Sequence, residues 1–404
     1  MRRRSMLGLL FVLVAIVCPM AQSHQRPVEA ALQETIDTYL AERREAETIS
    51  GVALLVDHGR GHPIEVFTGT NGRDGTPIDE NTLFQIGSNT KHFTAALVLK
   101  LEAAGLLNID QTVGDWLPQY PAWAKVTIRS LLHMTADIPN YSETIEIGGI
   151  MASDAQSRLT YEELIAAVYD KDLPRSSGWF YSNTDSILAA LIIEAASGMS
   201  YREALRKLLL HPLRLNNTFY SDGRYPNRVL ARLPVGIYNN PACLLYQPTP
   251  CTETTLAPLL GQDVSTDSLS WAGPAGGIIS NPRDLAKWIR ALFSLRVLPQ
   301  KQLDEMTQLV SQRTGLPIKD TSAADPLGFG FDLGRAYQEE LGGSFWFYQG
   351  TTLGFRAVFA YWPQYDLVIT AATNSQPPED EDQFLPRVVG KAFKVLQQAG
   401  VSSR

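Results

Sequence analysis

One stretch constrains this chain more than any other: Thr82-Leu-Phe-Gln-Ile-Gly-Ser-Asn-Thr-Lys-His-Phe-Thr-Ala-Ala-Leu-Val-Leu-Lys-Leu101. It reads as a strand end, a turn at Gly87, and a helix whose Phe93, Ala96, Leu97 and Leu101 mark one buried face. Gly105 suits the left-handed residue just past a helix end. Ser88 then stands at the helix N-terminus, with Lys91 one turn later on the same face. A serine hydroxyl is a poor nucleophile until a base removes its proton. A lysine amine held in a dry site loses its charge and can be that base. Free N–H groups at the helix start suit an oxyanion. No other Ser-x-x-Lys occurs in the sequence. The pair alone also fits an N-cap serine beside a solvated lysine, so partners elsewhere in the chain must decide.

The N-terminus is a separate object. Arg2, Arg3 and Arg4 precede the apolar run Leu7–Val17, and Ala21-Gln-Ser23 follows. That order is the signature of a secretory signal peptide over residues 1–23, and the apolar run is short for a bilayer span. Cleavage after Ser23 is the first reading and lipidation at Cys18 the second. The expected location is periplasmic or secreted, with no stable membrane span once the leader is gone. Losing three arginines takes the formal charge from −7 to about −10, which with no basic run argues against a nucleic-acid partner. The mature chain keeps Cys243 and Cys251, flanking a proline-rich stretch. In an exported protein a disulfide-closed loop is the leading reading, two free thiols the second and a zinc pair the least favoured. No metal or other cofactor is expected.

The remaining pattern points to an α/β (α+β) fold. A helical stripe, Ala31, Leu32, Ile36 and Leu40, precedes two strands, 51–57 and 64–69, joined by a glycine-rich turn. From Thr127 to about Phe293 the pattern is mostly helical, with a capping box at Thr160. After residue 327 it turns aromatic and β-branched over 329–333, 345–348, 355–362 and 367–373, and a helix over 384–398 closes the chain. Strands at both ends predict one antiparallel sheet, flanked by helices and assembled from residues 24–86 and 320–404. Residues 87–319 form an inserted, mostly helical domain, with the site between the two.

Tyr181-Ser-Asn183 enters a strongly apolar helix from a glycine turn. A tyrosine oxygen there can share proton traffic with Lys91, and the asparagine amide can orient a substrate and the lysine. Read alone, the tyrosine is an ordinary core residue and the asparagine a helix cap. Ser88-Asn-Thr-Lys91, Tyr181-Ser-Asn183 and a late glycine strand, in that order, resemble the serine β-lactamase and penicillin-binding protein superfamily, and the tyrosine resembles its class C branch. The flanks Leu131-Leu-His-Met-Thr, Pro212-Leu-Arg-Leu and Gly276-Gly-Ile-Ile-Ser280 extend the likeness from about Ile36 to Ser375.

The resemblance implies a β-lactamase/transpeptidase-like fold and a serine hydrolase acting on small molecules through an acyl-enzyme. Ser88, Lys91 and Tyr181 are its catalytic residues, and Asn183, Tyr348, Gly350 and Thr351 bind substrate. β-Lactam hydrolysis ranks first, an esterase or D-amino-acid peptidase second, and a non-catalytic peptidoglycan or β-lactam binder third. Two positions depart from the pattern. Tyr348-Gln-Gly350 stands where the family has Lys or His, any residue, then Gly, so the usual cation is missing unless Arg356 replaces it. Thr135-Ala-Asp137 replaces the usual Thr-Ser-Gly, and Asp137 is read as a surface turn residue.

Overall fold

Alternation along the late strands sets the architecture. In strand Arg356–Trp362, Ala357 and Phe359 face one hydrophobic core while Val358, Ala360 and Trp362 face another. Strand Gly51–Asp57 divides the same way, with Ala53 and Leu55 on one side and Val52, Leu54 and Val56 on the other. Both faces are therefore covered, which explains why these strands read as nearly unbroken apolar runs. The structure is a computed structural model that describes residues 19–173, 178–239, 256–376 and 383–400, with side chains from residue 26 onward. Residues 1–18 of the expected leader, Cys18 included, and both Cys243 and Cys251 lie outside the described residues.

Among the described residues the main sheet has nine strands, all antiparallel to their neighbours, in the spatial order 64–69, 51–57, 367–373, 356–362, 343–351, 334–338, 327–329, 309–311 and 317–318. The early hairpin thus sits beside the last strand, Val52 opposite Thr373, as expected for a sheet drawn from both chain ends. One face is covered by helix Pro19–Glu47 and the C-terminal helical segment, through Leu32, Ile36, Val389 and Phe393. The other face meets the helical unit and helix Pro282–Phe293, which packs on strands 367–373 and 51–57. Strands 309–311 and 317–318 join the sheet upstream of residue 320.

Local signals held at several points. Thr160 makes its capping box with Glu163, and Asn281 caps the helix that Pro282 begins. The expected strand over 329–333 is instead the end of strand Leu327–Phe329 and a turn, in which Asp332 takes a left-handed φ of 54°. A short helix, Val113–Trp116, follows the Ser88 helix. Asp137 is exposed and has φ 54°, which accounts for glycine being the family's residue there. Among the described residues no helix is long and apolar enough to cross a membrane, and no cluster of His, Cys, Asp or Glu could hold a metal ion.

The N-terminal helix is fixed to the sheet by a buried charge pair. Glu47, fully buried, accepts from Arg43 Nε at 2.6 Å and from the Tyr39 hydroxyl at 3.0 Å, and it pairs with the equally buried Arg356. Arg356 also donates to Tyr39 and to the Ser375 carbonyl. Arg356 is thus committed to the core and does not supply the cation missing at Tyr348. Glu47→Gln leaves that guanidinium without its counter-charge, and breaking a buried pair in this way costs about 3–5 kcal/mol. A urea unfolding midpoint unchanged from wild type would show the pair to be dispensable.

Candidate active site

The position of Ser88 begins with a three-stranded ribbon. Phe84–Gln85 pairs with Ile278–Ser280, which also pairs with Phe219–Tyr220. The chain then turns sharply at Gly87, φ +50°, into a short 3-10 segment, Gly87–Thr90, that runs on as helix Lys91–Ala103. A side chain at Gly87 would strike the Thr351 backbone, its Cβ lying 2.6 Å from the Thr351 nitrogen. From the other side, a Cβ on Gly350 would lie 2.0 Å from the Ile86 carbonyl and 2.6 Å from the Ser88 nitrogen. Two glycines therefore let the nucleophile turn and strand Gly343–Thr351 touch backbone to backbone. The close approach brings the Ser88 and Thr351 N–H groups into one small region, as an oxyanion hole requires.

Two residues inside the motif hold that turn. Asn89 donates from Nδ2 to the Ile86 carbonyl at 3.0 Å and to the Ala357 carbonyl of the sheet at 2.9 Å. Thr90 donates to the Gly87 carbonyl at 2.8 Å and accepts from the Ile278 N–H. Both are fully buried. Sequence reasoning passed over them, although two small polar residues inside a helix start were the available signal.

Ser88, Lys91 and Tyr181 come together as expected. The Ser88 and Tyr181 oxygens lie 2.5 Å apart. The Lys91 amine donates to Ser88 Oγ at 3.1 Å and to the Ala275 carbonyl at 2.8 Å, and stands 4.7 Å from the Tyr181 ring centre. Lys91 is fully buried, and desolvation pushes its amine down to about 7, although the Asp332 and Asp185 carboxyls pull it up. As a free base it can keep one N–H on Ala275 and turn its lone pair to Ser88.

Asn183 does not reach the lysine that it was expected to orient. It opens helix Asn183–Ser197, and its Nδ2 donates to Ser142 Oγ at 2.8 Å while its N–H donates to Asn140 Oδ1 at 3.0 Å. Its amide thus braces the 139–142 loop, and the lysine finds its acceptors at Ser88 and Ala275 instead. The same loop receives the Thr184 hydroxyl through the Pro139 carbonyl. Tyr348 lies on the strand beside Gly350, 5% exposed, and among the described residues its hydroxyl has no hydrogen-bond partner. Burial holds its phenol well above the ordinary range, so it is neutral. Its ring meets Phe329 edge-on at 6.4 Å, and Phe329 stacks on Trp179 at 4.4 Å. An aromatic wall thus runs from Tyr348 to Trp179, whose ring centre lies 6.4 Å from that of Tyr181, where the resembled pattern has a cation.

Comparison with known proteins agrees with this geometry. The Beta-lactamase family model matches residues 35–393. Penicillin-binding protein 4* of Bacillus subtilis (strain 168) is 34% identical over 159 residues, covering 38% of this chain and 34% of that protein. Esterase EstB of Burkholderia gladioli is 29% identical over 204 residues, covering 46% and 49%. The matches thus span a third to a half of these two relatives. A D-stereospecific amidohydrolase from Streptomyces sp. superposes with a TM-score of 0.70 at 25% identity, over 90% of this chain and 98% of that one. With a serine, lysine and tyrosine in hydrogen-bonded sequence on this sheet-and-helix frame, the chain belongs to the Beta-lactamase family of serine hydrolases.

Proposed function

We propose that this chain is an exported hydrolase of small esters and amides that acts through an acyl-enzyme on Ser88. The contact carrying this reading is the Lys91–Ser88–Tyr181 arrangement, at 3.1 and 2.5 Å. Neutral Lys91, with Tyr181, takes the Ser88 proton as Ser88 attacks a carbonyl carbon. The Ser88 and Thr351 N–H groups receive the oxyanion. The leaving group departs with a proton from the Lys91–Tyr181 pair, and water releases the acyl group by the reverse traffic.

The substrate choice rests on charge. A cation about 4 Å from a substrate carboxylate contributes roughly 4 kcal/mol at an effective dielectric near 20. A neutral tyrosine hydrogen bond contributes about 0.5–1.5 kcal/mol. Tyr348 is neutral, and Arg356 is committed to Glu47. Carboxylate-bearing substrates, including β-lactams, therefore lose the anchor that the family pattern supplies, and neutral esters and amides do not. The esterase and the amidohydrolase among the similar proteins support this ordering. β-Lactam hydrolysis, ranked first on the sequence, becomes the second reading, supported by the family match.

Turnover of p-nitrophenyl butyrate beside a chromogenic cephalosporin tests the reading. Faster ester hydrolysis, abolished in Ser88→Ala, is the expected outcome; cephalosporin turnover outrunning it would restore the β-lactamase assignment. Full activity in Ser88→Ala would remove the mechanism. Tyr348→His should raise turnover of carboxylate-bearing substrates more than that of neutral esters, and equal effects would show that this position does not read the carboxylate. Gly350→Ala should lower kcat by about 10²–10³, the loss typical of one oxyanion donor, because its Cβ would push the strand off the Ser88 turn. Activity should rise with pH through about 7, where Lys91 loses its proton. A rate that is flat across that range would exclude Lys91 as the base.

A further inference from the structure

Strand 343–351 is held from both sides only along its first half. Gly334–Gln338 pairs with residues 343–347, and among the described residues the stretch from Tyr348 to Thr351 has its ladder partner in 356–359 alone. The open edge of that end faces the Ser88 turn, and Thr351 is its last residue. The glycine contact stops the turn and the strand from coming closer. Van der Waals contact does not stop them from parting or sliding, which takes a polar tie. Asn89 ties the turn to the neighbouring strand at the Ala357 carbonyl. A second tie reaches the strand end itself.

That tie begins just upstream of Ser88. Gln85 is buried in the short strand Phe84–Gln85, and its Oε1 accepts from the Thr352 hydroxyl at 2.6 Å, joining residues 267 positions apart. Thr352, also buried, follows Thr351 directly and opens the turn to strand 356–362, where its N–H donates to the Phe355 carbonyl at 3.0 Å. The other end of the Gln85 amide is held too. Its Nε2 donates to the Ser265 carbonyl at 3.1 Å and to Asp267 Oδ1 at 3.0 Å, while Asp267 Oδ2 accepts from Trp271 Nε1 at 3.0 Å. A carbonyl only accepts, so Nε2 faces Ser265 and Oε1 is left to face Thr352. Burial pushes the Asp267 carboxyl up to about 7 against the pull of those two hydrogen bonds. The Ser265 carbonyl keeps the amide oriented whether Asp267 is charged or neutral.

The anchor of this relay belongs to the segment that also serves the lysine. The Ala275 carbonyl holds the Lys91 amine at 2.8 Å, and the Trp271 carbonyl accepts from the Tyr141 hydroxyl at 2.7 Å, within the loop that receives Asn183. Residues 265–275 therefore refer both Lys91 and the turn after Thr351 to one piece of backbone. A neutral hydrogen bond contributes little net stability. What this one adds is position.

We propose that Gln85 is a positioning residue for the hydrolysis: by gripping the Thr352 hydroxyl it fixes the Thr351 N–H at the distance from the Ser88 N–H that the oxyanion needs. The inference rests on the acyl-enzyme reading above. In each half of the reaction an oxygen nucleophile, Ser88 and then water, bonds the carbonyl carbon. Its proton goes to the Lys91–Tyr181 pair, and the carbonyl π pair moves onto oxygen. Both N–H groups must then lie about 2.7–3.1 Å from one point. The Ser88 N–H arrives on the chain that leaves Gln85 through Ile86 and the Gly87 turn. The Thr351 N–H arrives on the chain that the Gln85 side chain holds. Gln85 touches no reacting atom, yet it sets the spacing of the two donors.

The test is hydrolysis of p-nitrophenyl butyrate by the full chain, with kcat and KM read separately. Gln85→Met keeps the length of the side chain and removes the acceptor, and Thr352→Val removes the donor. Each should lower kcat about 10²-fold, the cost of misplacing a group by ~1 Å. KM should stay within about twofold, because acylation and deacylation both pass through the oxyanion. The double variant should lose no more than the larger single loss. The ³¹P resonance of Ser88 labelled by a fluorophosphonate reports on the donors directly and should move in both single variants. Thr370→Val removes a buried hydroxyl that donates to the Pro282 carbonyl at 2.9 Å elsewhere in the sheet, and should change neither kcat nor the resonance. Wild-type kcat, an unmoved resonance, losses that multiply in the double variant, or an equal effect of Thr370→Val would overturn the proposal. Should Gln85→Met not fold, Thr352→Val decides by the same two readouts. Hydrolysis that persists in Ser88→Ala would sink the acyl-enzyme reading itself, whereas Ser88-dependent hydrolysis untouched by Gln85→Met and Thr352→Val removes only the role of Gln85.

Discussion

The contact on which the rest of the structure depends is the backbone approach between the Ser88 turn and strand 343–351. Neither Gly87 nor Gly350 has space for a single additional carbon. That contact decides where the helical unit seats on the sheet, because Asn89 continues it to the Ala357 carbonyl on the next strand. It also fixes the proposed oxyanion donors before any substrate arrives, which would leave little reorganisation to the reaction. The nine-stranded sheet, covered on both faces, is the rigid body that makes such a tolerance possible.

Charge is distributed by the same logic of burial. The protein contains two buried charged clusters of opposite character. Glu47 and Arg356 are saturated: hydroxyl, guanidinium and backbone groups meet every charge, and the pair joins the first helix to the sheet. Around Lys91 and Asp185 the opposite holds: among the described residues Lys91 makes no ion pair, and Asp185 Oδ1 is buried without a partner. The difference separates a structural arginine from the lysine proposed to act as base, though both are fully buried.

The substrate preference proposed above rests on what is missing at position 348. The aromatic wall of Tyr348, Phe329 and Trp179 presents a neutral, apolar surface. Selection by such a surface discriminates weakly between similar neutral groups but strongly against an unpaired carboxylate. The esterase and amidohydrolase resemblance is consistent with that surface.

The sequence by itself determined the elements and the order of the motifs. Apolar periodicity marked the helix after Ser88, cap chemistry marked Thr160, and aromatic and β-branched content marked the late strands, because these signals are local to one element. Ser88, Lys91, Tyr181 and Gly350 were legible for the same reason: each sits at an element start or a turn with a distinctive neighbour. Tertiary structure alone decided which polar groups meet. Asn183 turned to Ser142, Arg356 went to Glu47 rather than to the site, and Asp332 left its expected strand for a turn. Those pairings join residues up to 309 positions apart. They are set by which buried group has the greatest need of a partner, and no local pattern records that need.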